Sequence, residues 1–190
     1  MSLFHQPLRT AQPGDLCILL EPGDPDEITA LRQHQLALQR RYGGEVMNPV
    51  HITPQRFTLA HPQQQYQALL DQLEALAAHW QPFKISAGGL LPFHSDYRQA
   101  HIIKWKVLPP DEMVSFSSQL EHILTTIGGT SLYPPGWVSV LVTALTGIDP
   151  GTAQDEPDLS FPQPLFTPSL LTLSKIHGPT EFEVLEQIPL

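Results

Sequence analysis

Cysteine is almost absent from this chain. Cys17 stands alone among 190 residues, which excludes an internal disulfide. Its place in the apolar run of residues 16–20 reads as packing and not as a nucleophile. Long apolar stretches are missing too. No run of about 18 apolar residues occurs, so no transmembrane helix is expected. Met1-Ser2-Leu3-Phe4-His5-Gln6-Pro7 lacks the basic start and apolar core of a signal peptide, and a cytoplasmic protein is the expectation. Positive charge is scarce, with 10 Lys and Arg against 19 Asp and Glu and a net charge of −9. Proteins that grip long nucleic acid neutralise many phosphates with a basic face. Here the only close basic pairs are Arg40-Arg41 and Lys104/Lys106. That argues against tight binding to long nucleic acid and leaves short charged ligands or a protein partner. The cysteine and histidines show no zinc-ligand spacing, so no metal is expected.

What is present describes a globular protein. Hydrophobic residues make up 41% of the chain, and residues 1–190 are enough for one substantial domain or two small lobes sharing a core. Residues 1–14 are polar with two prolines and read as a loosely held arm. Residues 16–20 suit a strand covered on both faces. Residues 26–42 read as a helix capped by Asp26, with Ile28, Leu31 and Leu38 inward, and Gly43-Gly44 end it. A second helix is expected over 65–78, a strand over 83–87, a break or bulge at Gly88-Gly89, and a strand over 101–107. On that strand His101, Ile103, Trp105 and Val107 share one face while Ile102, Lys104 and Lys106 share the other. A third helix follows over 113–127. Residues 147–168, rich in Pro, Asp and Gly, read as a long loop, and 170–176 with 182–188 as a closing hairpin.

Between the first two helices lies Pro49-Val50-His51-Ile52-Thr53-Pro54-Gln55-Arg56-Phe57. On a strand, residues i and i+2 point to the same face, about 7 Å apart, so His51 and Thr53 share a side. An imidazole moves a proton near neutral pH, and a hydroxyl beside it can hold a phosphate oxygen. The same pattern also describes a half-buried strand with two polar residues on its wet face. The order strand, helix, His-x-Thr strand, helix, strand, Gly-Gly-Leu-Leu-Pro-Phe, strand, helix resembles the two-histidine (2H) phosphoesterase superfamily, that of the 2′-5′ RNA ligase-like proteins and cyclic phosphodiesterases. The resemblance covers nearly the whole chain, with His51-Ile52-Thr53 followed by Arg56-Phe57 as its specific motif.

The resemblance implies an α+β fold of two lobes of antiparallel sheet, with outer helices around a central cleft. It implies hydrolase chemistry without metal or organic cofactor. One histidine acts as base, a second protonates the leaving oxygen, and two hydroxyls hold the phosphate. His51 and Thr53 are then the catalytic pair. The second His-x-Thr/Ser motif should follow Tyr133-Pro134-Pro135 on the next strand, residues 136–142, and there Trp137-Val138-Ser139 stands instead, with Ser139 as the hydroxyl and Trp137 where the histidine belongs. Ser139 and Trp137 are expected to bind substrate, Trp137 as a stacking platform or as a plug. His94, His101 and His177 offer no motif spacing. Two readings result. One is an impaired 2H phosphodiesterase acting on, or binding, 2′,3′-cyclic or 2′-5′ phosphodiesters of nucleotides or RNA termini. The other is a non-catalytic nucleotide-binding or protein-interaction module of the same fold. Losing one proton carrier should cost roughly 10²–10⁴-fold in rate.

Overall fold

The computed structural model describes residues 7–149, 160–179 and 181–190. Residues 1–6 of the expected arm, with His5, and residues 150–159 of the expected loop lie outside them. Ten strands and three helices follow in chain order: β1 Leu16–Pro22, α1 Pro25–Tyr42, β2 Glu45–Val46, β3 Ile52–Leu59, α2 Pro62–Ala78, β4 Ile85–Ser95, β5 Ala100–Val107, α3 Asp111–Ile127, β6 Gly129–Ser131, β7 Leu141–Thr146, β8 Gln163–Phe166, β9 Pro168–Ile176 and β10 Phe182–Pro189. The main path of the sheet runs β10-β9-β1-β3-β7-β5-β4-β8, with β2 added to β7 and β6 to β3. Every ladder is antiparallel. Two lobes of antiparallel sheet with outer helices are therefore present. They meet where β3 lies against β7, joined by one registered pair, Ile52 opposite Val142.

Helices cover one face of each half. α1 packs on β7, β8 and β2, while α2 and α3 pack on each other and on β10, β6 and β3. α1 starts earlier than its sequence suggests. Asp24, not Asp26, is the cap, and its Oδ1 accepts the N–H groups of Asp26 at 2.8 Å and Glu27 at 3.2 Å. Pro25 takes the first helical position, where a missing N–H costs nothing. Leu31, Gln35, Leu38 and Tyr42 form the buried stripe, whereas Ile28, expected inward, is 44% exposed. Gln35 uses its amide to bind the carbonyls of Met47 and Ala144, at 2.7 and 3.2 Å, pinning α1 to the second half. Gln65 of α2 binds the carbonyls of Ile127 and Gly128 at the end of α3, where Gly128 adopts φ 73°.

Three expectations need correction. The loop 147–168 is not continuous: β8 pairs with β4, and β9 begins at Pro168. Pro162 and Pro164 argued for a loop, but β8 is an edge strand, where a missing N–H need not break a ladder. The described part of the arm is held, since Leu8 donates to the Leu132 carbonyl at 2.7 Å and Gly14 to that of Ile176 at 2.8 Å. Arg9 also pairs with Asp15 through two contacts of 2.7 Å. Finally, the strand read over 136–142 begins only at Leu141. Pro134, Pro135 and Gly136 form a turn, with Trp137 donating to the Pro134 carbonyl at 3.2 Å, and residues 137–140 pass beside the sheet before joining it.

Candidate functional site

The cleft of about 530 Å³ opens where the two halves meet. Its floor follows from the joint. Ile52 and Val142 are both fully buried, so their neighbours on each strand point the other way, into the cleft. His51, immediately before β3, and Thr53 on it both line the cavity, as do Leu141 and Thr143 of β7. With Ile52 opposite Val142 in an antiparallel pair, His51 lies across from Thr143 and Thr53 across from Leu141. Two three-residue units therefore face each other about an approximate twofold: His51-Ile52-Thr53 and Leu141-Val142-Thr143. Lys104 of β5 stands opposite Thr143 and extends the row.

His51 is half-buried and stays neutral. Burial, above all, pushes its pKa down to about 4; the Pro49 carbonyl works against this, and the charges of Arg98, Arg56 and Lys104 add to it. The Nδ1 atom lies 3.0 Å from the Pro49 carbonyl oxygen. A carbonyl can only accept, so Nδ1 carries the proton and Nε2 presents a lone pair. Phe182 meets the imidazole edge-on, with ring centroids 5.9 Å apart. A neutral, oriented imidazole is suited to accept a proton at Nε2 and not to supply one.

The walls carry cations. Arg56 of β3, Arg98 from the β4–β5 turn and Lys104 all line the cleft. Burial and the two arginines lower Lys104 to about 8, and burial and Arg56 also lower Arg98. Lys104 rests over the Phe93 ring at 5.3 Å and Arg56 over that of Tyr97 at 5.9 Å. Tyr97 donates to the Gly178 carbonyl at 3.1 Å, so the tip of the β4–β5 hairpin reaches across to the β9–β10 turn of the other half.

All four side chains singled out in the sequence, His51, Thr53, Ser139 and Trp137, line this one cleft. Trp137 does not occupy the strand position of a second motif histidine. Its ring lies flat on that of Tyr133, 3.7 Å between centroids and 3° from parallel. Tyr133 is itself fixed by Ser131, whose hydroxyl accepts the Tyr133 N–H at 2.9 Å and donates to Gln55 at 2.9 Å. Ser139 is buried and precedes β7. Leu141, not Trp137, is the residue related to the first histidine by the pairing, and Thr143, not Ser139, is its hydroxyl. The register of the second strand hides this, because Trp137-x-Ser139 and Leu141-x-Thr143 both place a hydroxyl two residues after a large side chain. Of the other described histidines, His94 also lines the cleft, though on no strand position related to His51 by the pairing. His94 reaches Asp96 at 3.6 Å and packs on His101, and His177 contacts Glu183 at 3.0 Å. Burial raises the Cys17 thiol to about 11, which keeps it protonated and inert. Among the described residues no cluster of His, Cys, Asp and Glu could hold a metal ion.

The sequence left Arg98 and Thr143 unmarked and gave Lys104 only a strand face and a basic neighbour, Lys106. The alternation over 101–107 did contain the clue for Lys104: Trp105 is fully buried on the face of Val142, so its neighbour Lys104 turns to the cleft. Nothing local marks Arg98, which a hairpin carries in from the far strand.

No family model matches the sequence, and no curated protein matches it. Solved structures do match. Escherichia coli LigT in apo form is 14% identical with a TM-score of 0.60, the match covering 95% of this chain and 99% of LigT. TT0787 of Thermus thermophilus is 16% identical with a TM-score of 0.63, covering 93% and 97% of the two chains. Usb1 of Kluyveromyces marxianus is 13% identical with a TM-score of 0.55, covering 94% and 99%. E. coli LigT also matches in complexes with 3′-AMP, NADP+ and ATP. At these identities the likeness is one of fold. Among the described residues, ten antiparallel strands in two halves, three helices outside and a cleft at the joint make up the two-histidine phosphoesterase fold.

Proposed function

We propose that the cleft binds a 2′,3′-cyclic or 2′-5′ phosphodiester of a nucleotide or RNA terminus, and that turnover there is slow because one of two proton carriers is missing. The observation that carries this reading is the floor itself: neutral His51 with Thr53 on one strand, and Thr143 facing it from the next. The hydroxyls of Thr53 and Thr143 hold the phosphate oxygens, with Ser139 beside them. His51 Nε2 takes a proton from the attacking water as the new P–O bond forms. The ester oxygen that leaves the phosphorus also needs a proton, and Leu141 has none to give. The Trp137–Tyr133 stack at the wall supports a role in holding a base, since every base has a face to stack. The complexes of E. coli LigT with 3′-AMP, NADP+ and ATP favour a nucleotide as the ligand.

Leu141 also favours the second reading, a nucleotide-binding module without turnover. One experiment separates the two. Titration with phosphate and 3′-AMP should show binding weakened about 3–10-fold by Thr53→Val, the loss of one hydroxyl donor. Hydrolysis of a nucleotide 2′,3′-cyclic phosphate should be slow and abolished by His51→Ala. Equal phosphate affinity in wild type and Thr53→Val removes the phosphate site. Fast turnover means that a second proton carrier lies in the cleft. Binding without any turnover leaves the module.

A further inference from the structure

The chain holds only 10 Lys and Arg and a net charge of −9, yet three of its cations line one cleft. Arg56 comes from β3, Arg98 from the β4–β5 turn and Lys104 from β5. No ion pair joins any of them to a carboxylate among the described residues. Asp96 also lines the cleft, but its side chain is 97% exposed and turned to His94. Nη1 of Arg98 is buried with no hydrogen-bond partner. Gathering like charges and burying an unsatisfied guanidinium donor both cost stability. Buried polar groups elsewhere in folded proteins are nearly always paired. The residues around the triad are placed to hold it: Arg56 lies over the Tyr97 ring, and Tyr97 is anchored to the Gly178 carbonyl. An anion arriving in the cleft would supply the missing partner to all three groups.

The triad extends beyond the phosphate floor. Lys104 is on the row of His51 and Thr143, while Arg56 is three residues beyond Thr53, about 10 Å along the strand. Arg98 enters from the hairpin tip. One phosphate on Thr53 and Thr143 leaves the two arginines free for another. Planar guanidinium groups grip phosphate oxygens in pairs, which a lone ammonium cannot do.

We propose that Arg56, Arg98 and Lys104 form a second anion subsite, so that the ligand of this cleft carries a second phosphate beyond the one at His51 and Thr53. The proposal rests on the phosphodiester reading for the first phosphate. Two sources share this chemistry, a nucleoside bisphosphate and the terminal dinucleotide of an RNA strand.

Calorimetric titration of the wild-type protein with adenosine 3′-monophosphate, adenosine 3′,5′-bisphosphate and the dinucleotide ApAp tests it. At least one of the two-phosphate probes should bind about 10–100-fold tighter than the monophosphate, the worth of one or two charge-assisted hydrogen bonds. That ratio should collapse in the Arg56→Met/Arg98→Met double variant. It should also fall with added salt more steeply than monophosphate affinity does. A gain for the bisphosphate alone assigns a compact nucleotide, and a gain for ApAp alone assigns an RNA end. A ratio near one in the wild type overturns the subsite, as does a ratio that survives in the arginine variant. A melting curve of the double variant guards against misfolding, and it should show no loss of stability, because two unpaired cations are removed. If the bisphosphate binds through the arginines while Thr53→Val changes nothing, the phosphodiester reading fails and the subsite stands. If no probe binds, both fall.

Discussion

The two halves of the sheet meet at Ile52 and Val142, and they present different chemistry to the same cleft. The first half offers His51 and Thr53; the second, at the paired positions, offers Leu141 and Thr143. The hydroxyl is repeated and the imidazole is not. Under the proposed reading, the two hydroxyls hold a tetrahedral anion, which needs only donors, and proton transfer at these paired positions rests on His51 alone. Cations come from both sides of the joint: Lys104 on β5 extends the row to which Thr143 belongs, Arg98 enters from the β4–β5 turn and Arg56 from β3. The comparison separates binding from proton transfer, two properties that the fold can carry independently.

Placing an imidazole at the paired position tests the difference directly and should change the rate most. Leu141→His places an imidazole opposite Thr53, and it should raise the hydrolysis of a nucleotide 2′,3′-cyclic phosphate by about 10²–10⁴-fold. Initial rates of wild type, Leu141→His and His51→Ala/Leu141→His measure it, and the double variant should return to the wild-type level or below. A null result at Leu141 with a gain from Trp137→His would restore Trp137 as the second motif position and break the twofold comparison.

A smaller effect lies in the acid limb of stability. The folded-state pKa of His51, about 4, is below the ordinary value near 6.5. The unfolded chain therefore takes up its proton first as pH falls. Stability present above about pH 6.5 is lost progressively down to about pH 4, and the loss is then complete. The wild type should lose about 2 kcal/mol more than His51→Gln between pH 7 and pH 4 in denaturant titrations. The silent Leu141 has no counterpart to this window.

Least is expected from the cation that the second half carries. Lys104 is held at about 8, and its stem lies on Phe93, which methionine can also cover. Lys104→Met should stabilise the protein by about 1–2 kcal/mol at pH 7. The gain should shrink as pH rises through about 8, where the folded wild type sheds its proton before the unfolded chain does. Melting temperatures at pH 7 and pH 9 check it. A loss at pH 7 would mean that Lys104 has a partner in solution.

Much of the fold is legible in local pattern. The apolar run at Leu16–Pro22, the stripes of α1 and α2 and the closing hairpin of β9 and β10 each carry a period that burial enforces. The edge strand β8 is not legible, because its prolines imitate a loop and its pairing partner is β4, far away in the chain. Ile28 falls on the helical stripe but at its margin, where no strand covers it. The cleft is legible only in its first half. His51 and Thr53 are close neighbours in sequence, and the strand geometry alone puts them together. Thr143 is their neighbour through one ladder pair, and Arg98 through a hairpin that crosses the cleft.

Composition and the two-residue strand period are local properties. They suffice to read a single-cysteine, acidic chain with His51 and Thr53 on one face. Which residues answer that pair across the cleft is a matter of tertiary pairing. A shift of strand start from residue 136 to Leu141 takes Trp137 off the strand, where its ring stacks on Tyr133, and puts Leu141 at the position related to His51 by the pairing. Register depends on hydrogen bonds between strands some 90 residues apart, and no window of sequence contains both of them.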